Sequence, residues 1–453
     1  MMKSNILFLV IDSFRSDKCY DKNKTSITPN IDSLIKQGIF FSQAISSVAS
    51  TSSSMGSIFT GMFPFKTGMI DNTYQKLNST IPTYIEHFKK NGYTTFATTS
   101  EVNSFLGLTE DFDLKLESST HNNYFSLFDG LGEKIVNKLK SLSKEPWFFY
   151  VHINDLHQPI IIPKDFHDDK FGKTDYEQMV SAIDFWIGKF LQEIDLENTL
   201  VVLTADHGEY VRSLKIDDKI INFESNFSEK TLWKVGNKIP PSLYGIKKKT
   251  SLIINKLKQS DRNKKIKNLN LSKYEKRILT TSRMTAGSHV YDDVLKVPLI
   301  FCGDPIKKQQ IISQQVSLVD IFPTIVELLG INNFNSKIDG TNLCPLFFDK
   351  TVEEKPIFIQ SMPHISKEHQ NFIGIRTANF KYVRDSMDKQ NFLLFNLVND
   401  PLEEKDISKE NPEIIFKMET ILENYLNQKI DSSKMNTEQQ KKVEDELKKL
   451  GYI

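Results

Sequence analysis

The chain opens on an uninterrupted apolar run, Ile6 to Ile11, closed by Asp12. Short, partly β-branched and without polar alternation, this run predicts a strand buried on both faces of a parallel sheet. Thr28-Pro29-Asn30 then introduces Ile31, Leu34 and Ile35 at helical spacing, with Gly38 at the end. A cap, a first-turn proline, an apolar stripe and a C-terminal glycine together predict a helix. Further strand-like runs lie at 93–97, 147–153, 200–203 and 297–301, with helical periodicity at 176–193 and 318–329. Alternation of this kind predicts an α/β fold with a mainly parallel central sheet between helices. In such sheets the chemistry belongs at the carboxyl ends of the strands.

From about Lys355 the pattern changes to short runs, at 357–359, 372–375 and 392–395, with the turn signal Asn399-Asp400-Pro401. These predict a small antiparallel sheet, followed by two polar helices at 412–428 and 437–450. The division expected is a catalytic part over 1–350, interrupted by an insertion at about 211–286, and a C-terminal α+β part over 351–453.

With 39% hydrophobic and 25% charged residues among 453, and only 16 Pro and 19 Gly, the composition excludes a disordered, collagen-like or rod-like chain. A net charge of +1 argues against a generally basic nucleic-acid binder. Cys19, Cys302 and Cys344 are far apart and form no CxxC, which suits a reducing compartment better than a disulfide framework. The first apolar run is shorter than the ~7–15 residues of a signal core or the ~20 of a membrane span, so a cytoplasmic protein is expected. Charge is uneven, however. Residues 247–277 hold 12 Lys/Arg against 2 Asp/Glu, a local +10. That segment is either an arm for an anionic polymer or lipid surface, or a solvated insertion.

Several residues fall where chemistry is expected. Asp12, at the end of the first strand, is a metal ligand, a cap or a turn residue. Asp206-His207 leaves a second buried strand in the same way, and an Asp with a His suits a divalent cation such as Zn, Mn or Mg. Between them, Ser50-Thr51-Ser52-Ser53-Ser54 reads either as a loop or cap, or as a source of a hydroxyl nucleophile activated by a metal and a helix N-terminus. His157, in the run His152 to Pro159, and His289 lie near strand ends and read either as hydrogen-bonded imidazoles or as donors to a tetrahedral anion.

The order of these motifs resembles the sulfatase family of the alkaline-phosphatase-like superfamily. Asn5 to Asp17 resembles its opening strand and metal Asp, Thr28 to Asp32 its first helix, Phe59-Thr60-Gly61 the end of its nucleophile helix, and Asp206-His207-Gly208 its second metal motif. Asp320 to Thr324, Asp339-Gly340, Arg376-Thr377 with Lys381-Tyr382, 397–401 and 450–453 continue the likeness. The family carries Cys or Ser ten residues before the Gly, followed by x-Pro-Ser-Arg, and converts that residue to formylglycine. Here the position is Thr51; Ser54 keeps the motif's Ser, but Ser53 and Met55 replace Pro and Arg, and Ser13 replaces a second Asp. Threonine cannot supply the aldehyde. The resemblance therefore implies one divalent metal ion (Mn, Zn, Mg or Ca) held by Asp12, Thr51, Asp206 and His207. It further implies Arg15 supporting the site, and Ser54, His157 and His289 facing an anionic ester of the kind a glycan or a lipid carries. Of the activities it implies, hydrolysis or transfer at a phosphate ester through a phospho-threonine is preferred, with a sulfatase or an inactive binding protein as alternatives.

Overall fold

The computed structural model describes residues 3–69, 76–98, 106–116, 127–142, 146–158, 160–216, 219–223, 260–281, 290–331, 337–361, 371–428 and 441. Its strands are β1 (Asn5–Ile11), β2 (Ile39–Ile45), β3 (Thr94–Thr98), β4 (Leu114–Leu116), β5 (Trp147–Ile153), β6 (Thr199–Thr204), β7 (Ser213–Ile216), β8 (Lys219–Asn222), β9 (Lys296–Gly303), β10 (Gln310–Ile312), β11 (Val316–Ser317), β12 (Ile357–Gln360), β13 (Phe372–Arg376), β14 (Phe380–Asp385) and β15 (Phe392–Asn396). The longer described helices are α1 (Pro29–Gln37), α2 (Thr51–Thr60), α3 (Tyr84–Lys90), α4 (Leu131–Lys140), α5 (Asp175–Leu191), α6 (Lys273–Thr280), α7 (Ile321–Leu328) and α8 (Pro412–Leu426). The expected helix at 437–450 lies outside the described residues, apart from position 441.

The large sheet runs β10-β2-β9-β6-β1-β5-β3-β4, with β11 also on β2. Its central trio β6-β1-β5 is parallel and wholly buried, as the unbroken apolar runs require. The exception to the parallel pattern is β9, antiparallel to both β2 and β6. The cause is local. The Gly208 amide donates to the Val294 carbonyl at 2.8 Å, so β9 begins beside the point where β6 ends and has to run back down the sheet.

Helix α1 forms where the periodicity places it, but its ends work differently from the sequence expectation. The Thr28 hydroxyl donates to the Asp32 carboxylate at 3.0 Å and caps no backbone amide. Gly38 is extended (φ −132°), not left-handed. It is small for another reason: a Cβ there would sit 2.2 Å from the Phe301 carbonyl oxygen of β9.

The expected C-terminal sheet is present, ordered β12-β13-β14-β15 and antiparallel throughout. It meets the large sheet through the Gln360 amide on the Ser47 carbonyl at 2.8 Å. No helix among the described residues is long and apolar enough to cross a membrane.

Packing on the large sheet fixes the helix that carries Thr51. Phe59 of α2 packs edge-on against Tyr84 and Tyr150, with both ring centroids at 5.2 Å, and is almost fully buried. Burial of one such ring is worth ~1.5–3 kcal/mol, so α2 is held against the sheet along its C-terminal half. Gly61 ends α2 in the left-handed region (φ 66°), its amide donating to Ser57 at 2.9 Å.

Candidate metal and catalytic site

Strand register brings the acidic residues together. Val10 of β1 pairs with Thr204 of β6 and with His152 of β5, so Asp12 and Asp206, each two residues further on, leave the sheet side by side. Both carboxylates are completely buried. The turn after β1 is tight: Ser13 adopts φ 66°, unusual for a residue with a side chain. That conformation aims the Ser13 amide at Asp206 Oδ1 (3.1 Å), while its hydroxyl donates to Asp12 Oδ1 (2.6 Å). Ser13, standing where the family resemblance expected a further carboxylate, thus orients the two that remain.

Asp206 Oδ1 also accepts from the His207 amide at 2.8 Å, leaving Oδ2 buried without a hydrogen-bond partner among the described residues. The His207 Nδ1–H donates to the Gly208 carbonyl at 2.8 Å, which puts the ring lone pair on Nε2. That nitrogen lies 3.7 Å from Asp206 Oδ2. Ligand atoms of Asp12, Asp206 and His207 all fall within 4.8 Å of one another. Two buried carboxylates, an orphaned carboxylate oxygen and an imidazole lone pair fit a divalent cation, because a buried negative pair without one is costly. The donor set leaves the ion's identity open.

Thr51 is the first residue of α2, with Ser50 extended at its cap. Its hydroxyl donates to Asp12 Oδ2 at 3.2 Å and lies 3.4 Å from His207 Nε2. The nucleophile candidate therefore sits at a helix N-terminus, where developing negative charge is favoured, and at the edge of the acidic group.

The remaining predicted residues divide. Ser54 is buried, its hydroxyl donating to the Asp206 carbonyl at 2.7 Å and 3.2 Å from Ser46 Oγ; it ties α2 to the Asp206 turn instead of facing outward. Arg15 is likewise buried. Its guanidinium binds Asp17 (2.7 Å), Asp293 (3.2 Å) and the Glu209 carbonyl (3.3 Å), with no contact to Thr51 among the described residues. Burial alone would lower its pKa, but Asp17 and Asp293 outweigh that and hold it well above its ordinary value. His157 is buried with Nδ1 bonded to the Gln158 carbonyl at 2.8 Å. His289 lies outside the described residues.

Two groups near the site have no role in the sequence reading. The His152 ring, almost fully buried, approaches Asp12 Oδ2 at 3.8 Å through Nε2, and its Nδ1 meets the Tyr150 hydroxyl. A polar pair at alternate positions of an otherwise apolar, fully buried strand was the available signal. The second group is the Asp292-Asp293 turn. Asp293 joins Arg15 to Arg277 of α6 (3.0 Å), while Asp292 binds Arg376 (2.7 Å) and Lys381 (2.6 Å) of the C-terminal sheet. Gly208, beside His207, has no side chain because a Cβ would lie 2.5 Å from the Asp293 carbonyl oxygen.

The family model described as Sulfatase matches residues 4–331. The chain belongs to the sulfatase family. A second model of sulfatase relatives, N-sulphoglucosamine sulphohydrolase, C-terminal, matches 286–431. Chicken (Gallus gallus) arylsulfatase K is 31% identical over 158 residues, which is 32% of this chain and only 29% of that relative's length. Arylsulfatase K of Xenopus laevis aligns at 22% identity over 92% of this chain and 81% of its own. Among solved structures, Ps i-CgsB in complex with k-i-k-neocarrahexaose superposes with a TM-score of 0.66 at 18% identity, covering 98% of this chain and 97% of that one. The phosphonate monoester hydrolase of Agrobacterium radiobacter also gives 0.66, at 15% identity over 94% and 96%. These two share the sulfatase fold seen here. The family and the arylsulfatase relatives lie closer to the sulfatase alternative than to the phosphate-ester hydrolysis or transfer preferred from sequence.

Proposed function

We propose that the protein is a metal-dependent hydrolase of an anionic ester in which Thr51 itself, unmodified, is the attacking group. The observation that carries this is the Thr51 hydroxyl at the head of α2, 3.2 Å from Asp12 Oδ2 and 3.4 Å from His207 Nε2. A bound divalent ion would supply the Lewis acidity that lowers the hydroxyl's pKa and offsets charge on the transferred group. Asp12, Asp206 and His207 would hold it, kept in orientation by the Ser13 and Ser54 hydroxyls and the Gly208 carbonyl. Thr51 gives its hydroxyl proton to Asp12 Oδ2, the acceptor it already faces, as its Oγ attacks sulfur or phosphorus and breaks the bond to the leaving oxygen, which takes a proton from His157 and departs as the alcohol. Water then attacks the threonine ester, giving one proton to His157 and releasing the inorganic anion, while the Thr51 oxygen takes its proton back from Asp12.

The family and the arylsulfatase relatives favour a sulfuric ester as substrate. Transfer to an acceptor alcohol draws no support from them. One observation favours a second reading, a phosphate or phosphonate ester: an ester on threonine has to be cleaved by water at the central atom, with no aldehyde hydrate to expel the anion, and that is more readily done at phosphorus. The similarity in fold to a phosphonate monoester hydrolase is consistent with it.

Aryl sulfate, phosphate monoester, phosphate diester and phosphonate are to be tested side by side with Mn, Zn, Mg and Ca, followed by mass spectrometry of protein quenched during turnover. An adduct on Thr51 with sulfate preferred supports the first reading, and with a phosphorus ester preferred the second. Turnover with no adduct on Thr51 would sink the threonine mechanism. No metal retained and no rate on any substrate would instead indicate a binding protein.

A further inference from the structure

We infer that the lysine face formed by residues 264–276 is an exosite for a polyanionic glycan, engaging charges on the chain beyond the ester being cleaved. Lys264, Lys265, Lys267, Lys273 and Lys276 are all exposed within thirteen residues, and of these only Lys265 has an acidic partner among the described residues, Asp261 at 2.8 Å. Positive charge clustered at such density is unfavourable for the free protein and favourable for one that meets a multiply charged anion.

The face is anchored, not loose. Buried Ile266, Ile278 and Leu279 fix it to the body, and Ser272 with Glu275 closes a capping box at the start of α6. It is also anchored beside the candidate site. Arg277 of α6 grips Asp293 at 3.0 Å, Asp293 grips Arg15 at 3.2 Å, and the same turn packs on Gly208 next to His207. The Arg277 guanidinium lies 3.9 Å over the Tyr291 ring and donates to the Leu402 and Glu403 carbonyls, so it fixes the helix and is not itself offered to solvent.

This proximity favours a substrate chain over a membrane. A lipid-binding arm has no need to be tied to the residues that flank a catalytic centre, whereas an exosite does. Only the location of the exosite rests on the proposed ester-hydrolase function; the binding itself does not require turnover.

The test therefore measures binding and rate separately. Full-length protein is titrated with dextran sulfate, with uncharged dextran as control, and with vesicles containing phosphatidylserine in phosphatidylcholine. A variant with Lys264, Lys267, Lys273 and Lys276 all changed to Gln, none of them in the candidate site, is compared. Wild type should bind dextran sulfate with an affinity that falls as salt rises, and the variant should bind at least about tenfold more weakly. Any rate on a small monoanionic aryl ester should be unchanged. Equal binding by wild type and variant would overturn the proposal, as would binding to the vesicles but not to dextran sulfate. A small-ester rate lost in the variant would also count against an exosite, whereas no such rate in wild type either would bear on the ester-hydrolase proposal and not on this one.

Discussion

His152 Nε2 lies 3.8 Å from Oδ2 of Asp12, the same oxygen that accepts the Thr51 hydroxyl. The other ring nitrogen, Nδ1, is hydrogen-bonded to the Tyr150 hydroxyl, and burial, with Asp206 and Asp12 nearby, pushes that phenol well above its ordinary pKa, so the partner stays neutral. The ring turns its Nε2 edge to the Asp12 carboxylate. At 3.8 Å this is beyond a hydrogen bond but close enough to orient the carboxylate in a dry site. Outer partners of metal ligands typically contribute ~10–100-fold in affinity. His152→Ala should weaken metal binding by about that factor in a calorimetric titration, and His152→Gln, with an N–H at a similar reach, should recover part of it. Equal metal affinity in wild type and His152→Ala would rule this role out.

Thr51→Ala should remove turnover, by a factor of at least about a thousand, because no other group on α2 offers its oxygen to the acidic cluster in the same way. The fold should survive, since Thr51 is only half-buried and α2 is held by Phe59 and by Ser54. Circular dichroism and steady-state rates check both parts. A residual rate above about a tenth of wild type would move the attacking role to Ser50 or Ser52.

Two buried carboxylates side by side imply that metal and stability are linked. Saturating a native-only site at about a hundred times Kd adds ~2.7 kcal/mol. Adding Mn or Zn to chelator-treated protein should therefore raise the melting temperature, and Asp206→Asn should largely erase the rise. If the metal-dependent shift were the same in Asp206→Asn, the site would lie elsewhere.

Much of this was legible in the sequence, and the physical reasons differ by feature. β1, β5 and β6 announce themselves because strands buried on both faces need continuous apolar runs, and the residues ending two of them, Asp12 and Asp206-His207, then have only one place to go. The antiparallel course of β9 was not legible: direction depends on where the chain re-enters the sheet, which the Val297 to Phe301 pattern does not encode. β2 was missed because Ser42 and Gln43 interrupt its apolar run where the register slips against β9. Side-chain roles were legible only as types. Ser54 and Arg15 occupy motif positions, yet their partners, the Asp206 carbonyl and Asp293, are 152 and 278 residues away and are brought near by the tertiary fold alone.

Asp320 carries a pH dependence of definite sign. It is buried at the head of α7, where its two oxygens accept from the Ser317 and Thr341 amides at 2.8 and 2.7 Å. Burial outweighs those two hydrogen bonds and raises its pKa to about 6. The folded value lies above the unfolded one, so as pH rises the unfolded chain loses this proton first. Its contribution to stability is greatest below about pH 4 and declines until about pH 6, by an amount on the order of 3 kcal/mol. Asp320→Asn cannot titrate; it should cost about 1–3 kcal/mol at low pH through one lost acceptor, and the gap to wild type should close or reverse by about pH 7. Urea unfolding of both proteins at about pH 4 and about pH 7 measures that gap directly. A stability difference that is the same at the two pH values would show that Asp320 ionises no differently in the folded and unfolded chains.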